Sequence, residues 1–197
     1  MQTKPAVSSV PLHDIIENRW SPRSFAADKF IDKQTIDALL EAARWAPSCF
    51  NDQPWRFVVC NKSSDTRAWE KLLGSLSEKN QLWAQNAPML ILSVAMHEFA
   101  HNDKPNRWSS YDTGAASISL CLQATAMGLV THQMGGFDAE KCRQLFNLPD
   151  NCTPMSVIAV GYQAPAEQLN SELMQTELKE RTRKPLEDLF YFGAWKE

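Results

Sequence analysis

Two pairs of alternating basic residues stand near opposite ends of the sequence: Arg19 and Arg23, with Ser21 between them, in NRWSPRSF, and Arg181 and Arg183 in ERTRKP. In an extended segment alternate side chains point the same way, and a guanidinium fork suits phosphate oxygens better than an ammonium group does. Two remote clusters of this kind can converge on one dianion. Pro22 removes one backbone donor between them and fixes the local chain. Charge spacing alone fits solvated surface arginines better, because charged residues are mostly exposed. A second pattern, His97-Glu98-Phe99-Ala100-His101, satisfies H-E-x-x-H, in which two histidines one helical turn apart bind zinc and the glutamate acts as base. That chemistry requires a helix. Here the motif follows an apolar run and leads into Asn102-Asp103-Lys104-Pro105, which leaves little room for one. A third ligand would have to be His132 or Glu140, neither in a recognisable context. A polar loop after a strand is the preferred reading, with a zinc hydrolase as the remote alternative.

The elements that would position these residues follow from apolar periodicity. Asp32 is suited to cap a helix on which Ile36, Leu39, Leu40 and Ala43 form one stripe, ending near Ala46 and Pro47. Residues 55–60 read as a short strand. Residues 88–96 (PMLILSVAM) form a nearly continuous apolar run, as expected for a central strand covered on both faces. Residues 112–127 carry small and apolar side chains almost all round, so a helix there is buried on every side or shared with a second copy. Residues 138–146 read as a short helix, 155–162 as another buried strand and 171–180 as a helix entering the tail. Between the first helix and first strand, residues 46–55 (APSCFNDQPW) pack two prolines among short polar side chains, a rigid turn offering many hydrogen-bonding groups. The tail, residues 181–197, holds Phe190, Tyr191, Phe192 and Trp195 in a stretch too short to bury them, which predicts that it lies across another surface. Trp20, Trp45 and Trp55 read as packing residues.

The chain has 197 residues, 44% hydrophobic and 22% charged, enough for one substantial core and one domain spanning 1–197. Its formal net charge of -3 excludes a general attraction to nucleic acid or anionic lipid. The five cysteines are odd in number, widely spaced and without a CxxC pair, against a disulfide framework or cysteine-built zinc site and in favour of a reducing cytoplasm. Residues 1–11 lack the apolar core of a signal peptide, and no later apolar run reaches membrane-spanning length.

Taken together, the R-x-S-x-R stretch at 19–23, the segment A-R-x-A-P-S-x-x-N-x-Q-P-W-R-F at 43–57, the G-G-F-D turn at 135–138 and the basic tail resemble the nitroreductase family, in the right order and over nearly the whole chain. The resemblance implies an α+β sandwich with a central, mainly antiparallel sheet flanked by helices, assembled as an intertwined homodimer with FMN in each interface pocket. Alternating helices and strands would also suit a parallel doubly wound sheet, but no G-x-G-x-x-G loop follows a strand.

Residue by residue, the resemblance gives Arg19 and Ser21 to the phosphate and ribityl end, with Trp20 in the same binding stretch. Arg23 falls to the N1 and O2 edge of the pyrimidine, where a cation stabilises the anionic reduced flavin. Pro47, Ser48, Cys49 and Asn51 would approach the isoalloxazine ring from the opposite subunit. Met134, Gly135 and Gly136 match the turn whose amide nears flavin N5, glycine permitting close approach. Some relatives carry an acidic residue in place of Gly135. Arg181 and Arg183 match the tail pair that reaches the phosphate, and Asn80 a pyrimidine contact. No side chain emerges as nucleophile or general base, as expected where a cofactor carries the chemistry. Cys49 reads as a small apolar filler rather than a reactive thiol. The implied activity is ping-pong transfer of two electrons from NADH or NADPH to a small-molecule acceptor such as a nitroaromatic or quinone. Flavoproteins of this type acting on an unsaturated carbonyl, a halogenated aromatic or flavin are the alternative, and a non-catalytic flavin-binding protein is a further one. Residues 97–108 would border the pocket mouth, where Phe99, Arg107 or Trp108 bears on substrate.

Overall fold

A computed structural model describes residues 3–195, so the first two residues of the N-terminal stretch and the last two of the tail lie outside it. Strands β1 (Trp55–Asn61), β2 (Met89–Met96), β3 (Val130–Met134) and β4 (Cys152–Gly161) form one sheet in the order β1-β2-β4-β3. Every neighbouring pair is antiparallel. The apolar run at 88–96 is thus central, and all but the last residue of β2 are buried.

Alternation along the strands separates two cores. On one face Leu90, Leu92 and Val94 of β2 join Val157 and Ala159 of β4. Helices α3 (Thr66–Leu73), α4 (Glu78–Ala84), α6 (Ala139–Leu145) and α7 (Ser171–Leu178) pack there through Trp69, Leu72, Trp83, Cys142 and Leu173. On the other face Met89, Ile91, Ile158 and Val160 meet Leu39 and Ala43 of α2 (Lys33–Arg44) and Leu120 and Ala124 of α5 (Ser109–Ala126). The layers are therefore helix, sheet, helix, as the resemblance implied. Between Ser93 and Val94 the β2–β4 register shifts: Ser93 faces Ser156 and Val94 faces Pro154, so Met155 is an extra residue that bends β4.

Local chemistry accounts for the element ends. Asp32 caps α2 by accepting the Thr35 N–H at 2.8 Å, and Asp65, Asp138 and Asn170 cap α3, α6 and α7 in the same way. Sequence periodicity misses α1 (Asp14–Asn18), α3, α4 and β3. Each helix is eight residues or shorter and buries at most two side chains, and β3 is a five-residue edge strand. Such brief stripes do not stand out from background. One expectation is corrected: Trp45 is not a packing residue but 76% exposed, with the Arg44 guanidinium 4.9 Å over its ring, because α2 ends at Arg44 and turns it outward. Trp20 and Trp55 are buried as expected. Among the described residues no helix is long and apolar enough to cross a membrane.

Candidate active site

The chain's two ends meet. Lys4, Arg19, Trp20, Ser21, Arg23, Lys179, Glu180, Arg181 and Arg183 line one cavity of about 290 Å³. The pivot is Glu177 of α7, which is only 1% exposed. Its carboxylate accepts the Arg23 N–H at 2.9 Å and the Ser24 N–H at 3.3 Å, and its backbone carbonyl accepts the Lys4 ammonium at 2.7 Å. Lys4 lies 4.6 Å over the Trp20 ring. Arg181 closes the bracket by donating to the carbonyls of Lys4 at 2.6 Å and Glu17 at 2.8 Å. One nitrogen of Arg181 is therefore committed to tying the tail to the N-terminal segment, a structural use the spacing does not reveal. Arg19 approaches Ser21 at 3.5 Å.

The electrostatics of this cavity are lopsided. Burial lowers the basicity of Arg181, and the neighbouring Arg19 and Arg183 lower it further. Burial also lowers that of Lys4, opposed by Glu177 and reinforced by Arg181 and Arg23. Crowded guanidinium groups depress one another's proton affinity, and an anion among them would relieve the repulsion. The lining, six cations (Lys4, Arg19, Arg23, Lys179, Arg181 and Arg183) against the one carboxylate of Glu180, with buried Glu177 already spent on backbone N–H groups, fits a phosphate dianion.

His132 of β3 supports this cavity from behind. Its Nδ1 is 3.1 Å from the Pro22 carbonyl and its ring is 4.6 Å from Trp83. Burial, with Arg23 adding to it, pushes its pKa down to about 4, so the imidazole is neutral near pH 7 and donates from Nδ1 to Pro22. A residue weighed as a metal ligand instead positions the segment between Ser21 and Arg23.

The turn at 47–53 lies apart from the basic cavity, none of whose lining residues it supplies. It is a 3-10 turn, Cys49–Asn51, in which Phe50, Asn51 and Gln53 all have positive φ, between 51° and 56°. Asn tolerates that region, but for Phe it is a genuine outlier of order 1–3 kcal/mol. Buried Asp112, in the first turn of α5, holds the segment by accepting the Cys49 N–H at 3.0 Å, a favourable place for a carboxylate at the positive end of a helix. Ser48 Oγ accepts the Gln53 N–H at 3.0 Å, so its hydroxyl serves the turn. Pro47 and Asn51 are exposed.

Met134 ends β3 and is buried, and the Gly135–Gly136 turn follows. The Gly136 carbonyl accepts the Ser77 N–H at 2.9 Å and the Asn80 amide at 3.0 Å. Asn80 therefore anchors this turn, whatever else it reaches. A Cβ on Gly136 would sit 2.9 Å from Asn80 Nδ2 and 3.0 Å from Ser77 Oγ, whereas one on Gly135 would meet nothing within 4 Å. Of these two, packing requires glycine only at Gly136.

Residues 97–101 form the loop expected after a strand, and the remote zinc alternative falls. His97 and Glu98 leave β2 in a bend, and Ala100 and His101 form a turn rather than a helix. His97 Nε2 lies 2.6 Å from Thr153 Oγ1, and His101 Nε2 3.0 Å from the Asn102 amide. Among the described residues no group of three or more His, Cys, Asp or Glu could hold a metal ion. All five cysteines are free. Burial pushes the Cys60 thiol up to about 12 and raises those of Cys121 and Cys142, leaving these three as inert core residues.

The sequence reading finds the arginines and the turn but misses Lys4, Glu177 and Asp112. Glu177 and Asp112 carry no local signal, because each is an acidic residue on a helix whose partner is 63 or more positions away.

Comparison with known proteins completes the picture. The sequence model of the nitroreductase family matches residues 16–162. An NADH dehydrogenase of Thermus thermophilus is 28% identical over 181 residues, spanning 76% of this chain and 84% of that protein. Among solved structures, an oxidoreductase containing FMN superimposes with a TM-score of 0.91 at 32% identity, covering 100% of this chain and 98% of the other. A nitroreductase family protein of Clostridium difficile 630 superimposes at 0.70, with 23% identity and coverage of 92% and 97%, a likeness of fold. The strained turn, the bracketed basic cavity and this similarity across nearly the whole chain agree: the protein belongs to the nitroreductase family.

Proposed function

We propose that this protein is an FMN-dependent NAD(P)H oxidoreductase that acts as a homodimer. The observation that carries the reading is the convergence of Arg19, Arg23, Arg181 and Arg183, from opposite ends of the chain, on one cavity suited to a phosphate dianion. FMN would supply the chemistry, taking two electrons from NADH or NADPH and passing them in ping-pong turnover to a nitroaromatic, a quinone or a similar acceptor. The chain's own residues bind and orient. Arg19, Arg183 and Lys4 hold the phosphate end. Ser21 and Trp20 shape the cavity wall, and Arg23, fixed through its backbone by Glu177, presents positive charge to the pyrimidine edge. The exposed Gly135 amide and the Met134–Gly136 turn, steadied by Asn80, approach the ring where electrons enter and leave.

The dimer is supported by what the single chain leaves uncovered. Tyr111 is 79% exposed and Ile118 39% exposed on one stripe of α5, with Gly114 between them. In the tail Phe190 and Phe192 are also exposed. Apolar surface of this extent marks an interaction face. A second copy over α5 would bring its own turn, Pro47, Ser48, Cys49 and Asn51, to the ring held by the first.

The test is an absorption spectrum of the purified protein, followed by anaerobic addition of NADPH and then NADH. A flavin band that bleaches and recovers with a nitroaromatic or quinone is expected. A protein that stays colourless after FMN is added would overturn the proposal, as would kinetics requiring donor and acceptor to be bound together. Sedimentation equilibrium showing a monomer that retains FMN would remove the dimeric site.

A further inference from the structure

One carboxylate joins the strained turn to the loop that follows β2. Asp52 accepts the Ala100 N–H at 2.8 Å through Oδ1 and the Asn106 amide at 3.1 Å through Oδ2. Asn106 is buried, donates its own N–H to the His97 carbonyl at 2.7 Å and accepts the Trp108 N–H at 3.1 Å. Asp52 therefore grips the loop near both of its ends. Beside this clamp Phe50 is held at φ 54° with its ring 78% exposed. Its ring centroid lies 5.8 Å from those of Phe99 and His101, both steeply inclined to it. A phenyl ring in the left-handed region is strained, and burial does not offset the strain here. Outliers of this kind persist where the surroundings over-determine them, and they cluster at ligand clamps.

Resting on the function proposed above, we infer that Phe50, backed edge-on by the buried ring of Phe99, is an aromatic platform for the planar ring of the electron acceptor, and that Asp52 is the positioning residue that sets it. Aromatic rings prefer offset-stacked or edge-to-face partners. The exposed Phe50 ring has most of its surface available for one, next to Cys49 and Asn51 in the turn assigned to the cofactor ring. Asp52 touches neither substrate nor cofactor in this scheme. Its two hydrogen bonds fix where Phe50 stands relative to Phe99.

The experiment compares two acceptors on the FMN-loaded enzyme at saturating NAD(P)H: a planar nitrobenzoate, and ferricyanide, which takes electrons without stacking. Asp52→Asn places an amide donor against the Asn106 amide and breaks the clamp. The ratio of kcat/KM for nitrobenzoate to that for ferricyanide should fall about tenfold, through KM for nitrobenzoate, as expected for loss of a hydrogen bond to a charged group. Combining Asp52→Asn with Asn106→Asp re-pairs donor with acceptor and should restore the ratio. Phe50→Gly removes the ring and its strain together, so the melting temperature should hold or rise while the ratio falls. A ratio unmoved by both Asp52→Asn and Phe50→Gly would overturn the inference. So would a ratio that falls only in step with FMN affinity and melting temperature. A wild-type protein whose FMN is not reduced by NAD(P)H would instead refute the function on which the inference rests.

Discussion

At the basic cavity the buried carboxylate of Glu177 accepts the N–H groups of Arg23 and Ser24, and six cations line the space beyond it against one acid, Glu180. At the turn of residues 47–53, Asp112 accepts the Cys49 N–H, and Asp52 takes the Ala100 N–H and Asn106 amide, with no comparable excess of charge. Both regions use an acid to fix backbone, but they leave different things unfinished. The cavity lacks negative charge, so an anion completes it and its contribution is affinity. The turn lacks only a relaxed conformation, so what it offers is geometry, and its contribution is selection. A ligand that carries a phosphate at one end and reacts at the other uses both.

Breaking the pivot of the cavity should have the largest effect. Glu177→Ala leaves two buried N–H groups and a cluster of cations without their acid, a cost of about 3 kcal/mol or more. Denaturant unfolding should show that loss, and fluorescence titration should show FMN affinity down by about a hundredfold, the equivalent of 2.8 kcal/mol. Retained affinity in a destabilised protein would mean that the cavity does not depend on Glu177 for its shape.

The cavity should also be the acid-sensitive region of the two. His132 has a pKa of about 4 in the folded protein, below the usual 6.5, because it is buried and faces Arg23. The unfolded chain takes up the proton first, so this contribution to stability is present above pH 6.5 and is lost as the pH falls towards 4. The loss amounts to roughly 3 kcal/mol. Unfolding measured between pH 7 and pH 4 should show this slope in the wild type and a flatter one in His132→Asn, which keeps a donor for the Pro22 carbonyl. Equal slopes would place the acid sensitivity elsewhere.

The Gly135–Gly136 turn allows a finer cut. Gly136→Ala forces a methyl against Asn80 and Ser77 and should cost about 1–3 kcal/mol, whereas Gly135→Ala should stay within about 0.5 kcal/mol. Thermal melts of the two variants test this, and equal melting temperatures would show that the Asn80 side chain yields freely. The smallest expected change is in Arg183→Ala, with FMN affinity down about tenfold and its salt dependence shallower, since Arg183 is exposed and partly screened.

Much of this molecule was legible before its structure. The cap at Asp32, the central strand at 88–96 and the apolar helix at 112–127 all follow from local pattern, because burial on both faces or one stripe leaves a period that can be counted. Arg19, Ser21, Arg23 and the 47–51 turn were found the same way, once resemblance added meaning to spacing. The H-E-x-x-H match shows the limit of such reading: the residue types are right, but a chain leaving an apolar strand toward Asn102-Asp103-Lys104-Pro105 does not form the helix that would bring the two histidines together.

The order β1-β2-β4-β3, the bracket of Lys4, Glu177 and Arg181, and the Asp52 clamp belong to the tertiary structure alone. Sequence periodicity reports which face of an element is apolar, because neighbours three or four residues apart share that face. It carries no record of which acid, more than a hundred residues away, will accept the Arg23 N–H. That pairing exists only where the one core that holds both Phe25 and Leu173 of α7 has brought α7 against the N-terminal segment. The sequence by itself therefore determined which residues can meet an anion or a ring, and folding decided which carboxylates hold them there.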